Sequence, residues 1–172
     1  MRDVYTLRGS VTLTGSGVIE KLLFNYEAND LKQGWIVKDA DIWMGGRTRS
    51  TVNPGVAVAY TGIKMQLQTD TKNLSVSDEF DADDNRCFGW YWRGYTLGEN
   101  LGNLTPNDEQ YVLDPDHLVS RQLWATFGNE AGPNFEAVPV KINYLITLER
   151  KKTTPAENIL QQVKSVAQDI IN

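Results

Sequence analysis

Val138-Pro139-Val140-Lys141-Ile142-Asn143-Tyr144-Leu145-Ile146-Thr147-Leu148-Glu149 decides how this chain is read. Val138, Val140, Ile142, Tyr144, Ile146 and Leu148 recur at every second position, with Lys141, Asn143, Thr147 and Glu149 between them. Successive side chains of a strand point to opposite faces, so this alternation predicts a strand with one buried face. Pro139 carries no N–H to give to a ladder, which predicts that the strand starts unpaired or at an edge. The same period recurs upstream and predicts strands over Val4–Thr14, Val18–Glu27, Trp35–Met44, Val56–Thr69, Arg86–Leu97 and His117–Phe127. Weaker signals lie at Leu74–Ser77 and Tyr111–Leu113. Gly15-Ser16-Gly17, Asn29-Asp30, Gly45-Gly46, Asn53-Pro54-Gly55, Asp114-Pro115 and Gly132-Pro133 punctuate them with turn formers. No helical segment falls between the strands, which excludes a βαβ protein. The expectation is an all-β fold over residues 1–150: an antiparallel β-sandwich of about eight strands, jelly-roll type.

The period changes at the tail. Thr154-Pro155-Ala156-Glu157 has the form of a capping box with proline at the first helical position. Behind it Ile159, Val163, Val166 and Ile170, joined by Leu160, Ala167 and Ile171, keep helical spacing. An amphipathic helix over Pro155–Ile171, within the C-terminal segment 154–172, follows. Its apolar stripe must bury itself on the chain's own sheet or on another subunit, which makes Ile159, Leu160, Val163, Val166 and Ile170 the expected docking or assembly residues.

Composition excludes more than it selects. The 172 residues suit one domain. With 17 Lys+Arg against 22 Asp+Glu, the formal charge is −5, the wrong sign for a surface that grips nucleic acid or an anionic membrane all over. One Cys (Cys87) and one His (His117) allow no internal disulfide and leave zinc sites and Cys–His catalysis almost no ligands. No apolar run reaches the roughly 20 residues of a membrane helix. Met1-Arg2-Asp3-Val4-Tyr5 passes into alternation without a signal-peptide core, so the sequons at Asn73 and Asn103 are expected to stay unmodified.

Several clusters invite chemistry. Cys87-Phe88-Gly89-Trp90-Tyr91-Trp92-Arg93-Gly94-Tyr95, read as a strand, sends Phe88, Trp90 and Trp92 to one face and Tyr91, Arg93 and Tyr95 to the other. The first face is expected in the core. The second could form a stacking platform for a carbohydrate or other ligand, with cation–π help from Arg93. Arg47 and Arg49 in a polar loop, and Lys151 and Lys152 beside Arg150, are the positions for phosphate contact. Asp81, Asp83 and Asn85 imitate the first EF-hand ligands, but Arg86 and Trp92 stand where glycine and glutamate are required, leaving an irregular cation loop over 78–85 at most. His117 and Ser120 lack a nucleophile-elbow context, and no Walker or Rossmann glycine pattern occurs, so neither an enzyme nor a cofactor is expected.

The stretch Tyr144–Arg150 followed by the Pro155–Ile171 helix, together with the strand count, resembles the C-terminal finish of small single-jelly-roll viral coat proteins. The resemblance implies a self-assembling capsid subunit, made in the host cytoplasm and residing in the virion, with shell neighbours and other virion proteins as partners. Many such proteins open with a basic arm, whereas this chain begins Met1-Arg2-Asp3-Val4, which sets direct genome packaging apart from a shell role. A carbohydrate- or ligand-binding β-sandwich is the alternative.

Overall fold

A computed structural model describes residues 3–26, 32–45, 59–71, 84–97, 104–132 and 138–171. Side chains are described at all of these except 59–60, 97, 104–108 and 164–171. In chain order the described elements are β1 (Val4–Thr14), β2 (Gly17–Asn25), β3 (Gln33–Gly45), β4 (Ala59–Gln68), β5 (Cys87–Leu97), β6 (Leu104–Leu113), β7 (Leu118–Val119), β8 (Gln122–Ala131), β9 (Pro139–Lys152) and α1 (Pro155–Ile171).

The strands form two sheets, one in the order β1-β9-β3-β7 and the other β2-β8-β4-β5-β6, and every pairing is antiparallel. The partners are nested: β1 pairs β9, β2 pairs β8, β3 pairs β7, and β4 pairs β5. A long hairpin rolled around a barrel axis gives this pattern, which is the jelly roll. β6 is an addition at the free side of β5.

Two strand assignments differ from the sequence reading. The single strand expected over His117–Phe127 is β7 and β8, which belong to different sheets. The chain crosses between the layers at Ser120-Arg121, so continuous apolar character conceals a change of partner. The weak signal at Tyr111–Leu113 is the end of a ten-residue strand, β6. Pro106 and the acids Asp108 and Glu109 mask it, and an outermost strand tolerates all three. Leu74–Ser77 lies outside the described residues.

β9 runs through the middle of its sheet, eleven residues of β1 in register with it on one side and β3 on the other. Pro139 faces Thr14 at the end of the β1 ladder, and the described pairing with β3 stops two residues before it, at Gly45 opposite Lys141. The core fills the space between the inner faces. Val140, Ile142, Ile146 and Leu148 of β9 meet Ile63, Met65 and Leu67 of β4 and Leu123, Ala125 and Phe127 of β8, all fully or almost fully buried. Tyr144 also points inward, its ring 5.2 Å from that of Phe127. Gly9 lies opposite it in β1, where a Cβ would collide with the phenol. The turn from β1 into β2 changes sheets at Gly15, whose φ of 71° suits a residue without a side chain. Asn129 Nδ2 donates to the Gly15 carbonyl at 2.9 Å and holds that corner.

Candidate functional site

β5 carries the trio expected to form an outward platform, and the structure turns it inward. The β4–β5 register shifts between Leu67 and Gln68, leaving Phe88 as the extra residue of a bulge. After it, Tyr91, Arg93 and Tyr95 stand opposite Met65, Ile63 and Thr61, on the core side. Tyr91 is 5 % and Tyr95 8 % exposed, so neither offers a ring face to a ligand, and the expected platform is corrected to an internal contact. Phe88 is buried as expected, but Trp90 and Trp92 occupy the outer face of their sheet, half-buried. Trp92 lies over Gly62 and Gly94, two positions with no side chain to lift it off the sheet.

Arg93 and Tyr95 reach across the sandwich to β3. β7 pairs only with Trp35 and Ile36, so from Val37 onward the side of β3 away from β9 has no strand beside it among the described residues. Arg93 Nη1 donates to the Ile42 carbonyl at 2.7 Å, and the Met44 N–H donates to the Tyr95 hydroxyl at 3.0 Å. Side chains from one sheet thus satisfy edge groups of the other. Arg93 Nη2 also donates to Asp41 Oδ1 at 3.2 Å and Glu109 Oε1 at 2.5 Å. Burial works against the guanidinium charge, but the Glu109 hydrogen bond and the Asp41 carboxylate outweigh it, so its pKa is raised above the ordinary arginine value and it stays charged. Burial, then the neighbouring Tyr111, pushes the Tyr91 phenol far above its usual 10.0 and keeps it neutral.

The helix is anchored at its start. Glu157 N–H donates to Thr154 Oγ1 at 3.3 Å, and Thr154 N–H donates to Glu157 Oε2 at 2.7 Å, completing the capping box. The backbone hydrogen bond from Thr154, followed by its hydroxyl, draws the Glu157 carboxyl below its ordinary 4.5. Asn158 is 1 % exposed and its Nδ2 donates to Thr153 Oγ1 at 2.5 Å. One turn on, Gln161 Nε2 lies 2.9 Å from His117 Nε2, and the His117 ring stacks on Phe88 at 4.4 Å between centroids. An amide nitrogen only donates, so in this geometry His117 Nε2 accepts. The helix therefore faces its own domain with polar residues. Ile159, Leu160 and Val163, on the apolar stripe, are 50 %, 58 % and 56 % exposed. The side chains of Val166 and Ile170 lie outside the described residues.

The remaining expected positions separate. Lys151 and Lys152 are exposed at the end of β9, whereas Arg150 is engaged by Asp3, at 3.0 Å, and by Gln33. Arg47 and Arg49 lie outside the described residues, as do 78–83 of the acidic loop. Asp84 is held in a buried fork by Arg86, with Nε and Nη2 donating at 2.9–3.2 Å. That arrangement ties down the carboxylate nearest the cation reading. Among the described residues no three His, Cys, Asp or Glu side chains converge on a common point. His117 sits between Phe88 and Gln161, with Asp114 Oδ2 at 3.9 Å. Sequence reasoning missed the edge-capping role of Arg93 and Tyr95, since a stretch of β3 with a strand on one side only has no signature of its own.

No family profile matches the chain, and no curated protein matches it. Among solved structures, a chain of Desmodium yellow mottle tymovirus is similar over 87 % of this chain and 82 % of its own, at 11 % identity and a TM-score of 0.35.

Proposed function

We propose that this chain is a viral structural protein, a jelly-roll coat subunit that self-assembles into a shell and resides in the virion. The observation that carries the reading is the outward apolar stripe of α1. A helix tethered to its domain through Gln161 and His117, with Asn158 buried and Ile159, Leu160 and Val163 turned to solvent, is completed by a neighbour. The jelly-roll topology supports the reading by fold-level analogy, because many shells are built from this fold. The ligand-module alternative stood on Tyr91, Arg93 and Tyr95, and it loses that support with their burial or engagement inside the sandwich. In a shell, Lys151 and Lys152 are the described positions for phosphate contact, and other virion proteins are further partners.

Light scattering coupled to size-exclusion chromatography tests the reading, with electron microscopy of the same fractions. The expected result is a species several times the 19.4 kDa chain mass, resolving into rings or closed shells. A particle-free monomer at every concentration and ionic strength tried overturns it.

A further inference from the structure

The outward stripe has a finer period than helical amphipathicity alone requires. Ala156, Ile159, Val163, Val166 and Ile170 follow one another at intervals of three, four, three and four residues, the a/d spacing of a heptad. In that register Leu160 and Ala167 take e positions and Gln162 a g position, all uncharged. Glu157 and Lys164 fall at b, away from the seam, and only Asp169 brings charge to a g position, in the last turn. Identical copies can therefore approach along this seam without like charges meeting until its end.

Gln161 falls at f, directly opposite the seam, and Asn158 at c. Gln161 ties the helix to His117 of its own domain, and Asn158, bound to Thr153 at the helix start, is buried. Anchoring at f leaves Val163 at a and Ile159 at d pointing away from the protomer, in agreement with their exposure. The occupant follows from residue type. β-Branched side chains at both a and d, here Val163 and Ile170 with Ile159 and Val166, favour three helices over two, because a dimer prefers leucine at d. A three-fold axis keeps all helices parallel, so every copy can retain its own Gln161–His117 tether.

We infer that α1 is a three-fold contact, packing its a/d seam in parallel against the same helix from two further copies. This rests on the self-assembly reading and adds to it the stoichiometry and the surface. The 17-residue helix is roughly 26 Å long, enough for just over two heptads. A helix this short is marginal in isolation, so its domain-anchored first turn is what makes the seam usable.

Native mass spectrometry of the full chain tests the inference, comparing wild type with Val163→Asp, Ile159→Leu/Val166→Leu and Lys164→Glu. Wild type and Lys164→Glu are expected to show masses stepping in multiples of three chains. Val163→Asp, at a site already exposed in the protomer, is expected to lose the three-chain species at least tenfold with its β-sheet circular dichroism intact. The double leucine variant keeps the seam apolar and is expected to shift the steps toward two chains, so it decides the matter even should the aspartate variant misfold. Three-chain steps persisting undiminished in both seam variants, or a wild type that assembles without them, overturns the three-fold helix and leaves self-assembly standing. A monomeric wild type removes both.

Discussion

Tyr95 and Arg93 show how a few side chains can close a sandwich. The Met44 N–H and the Ile42 carbonyl belong to a stretch of β3 that has β9 on one side and, among the described residues, no strand on the other, and each finds its partner on β5. Tyr95→Phe keeps the ring in the core and removes only the acceptor. It should lower unfolding free energy by about 1–3 kcal/mol, the cost of leaving one buried donor without a partner. A shifted urea midpoint at unchanged slope checks this; an unshifted midpoint means water replaces the hydroxyl. The alternation of residues 87–95 sorted these side chains into two faces but not into inside and outside. That choice was made by the extra residue at Phe88, and a bulge leaves period-two sequence looking regular.

At the scale of elements, the capping box was legible because it is local chemistry: Thr154 and Glu157 satisfy each other within one turn. Its pH dependence has a definite sign. Glu157 has a folded pKa below its ordinary 4.5, so its contribution is complete above that value and fades as pH falls through the lowered one. The Thr154 amide resonance should show a titration step below pH 4.5 that Glu157→Gln abolishes; a step retained in the variant assigns it to another carboxylate. β1 was equally legible, its bounds Val4–Thr14 agreeing with the expectation, since Tyr5, Leu7, Val11 and Leu13 fall on one face with Thr6, Arg8, Ser10 and Thr12 on the other. β6 was hidden by its own protection as an outermost strand, because proline and acids that deter pairing also suppress the strand signal. Which way α1 would turn its stripe was not legible either. Amphipathicity tells that two faces differ, and only the Asn158 and Gln161 contacts tell which one meets the domain.

For the molecule as a whole, the packed interior between the sheets is the source of stability, and Phe127 lies at its centre against Tyr144. Phe127→Ala should cost about 3–5 kcal/mol in chemical denaturation, through lost burial and an unfilled cavity. A loss below about 1 kcal/mol would mean that the layers slide together to close the gap. The four-stranded sheet also has an order of construction built into it. β9, the last of the nine described strands, is the one that joins β1 to β3. On the ribosome, then, β1 waits until the other eight described strands have been made before it has a neighbour in its own sheet. A nascent chain of this design passes through synthesis with β1, β2 and β3 each lacking a neighbour in its sheet until β9, β8 and β7 follow, and its yield in a cell should depend on chaperone holding during that interval more than on the strength of the finished protein.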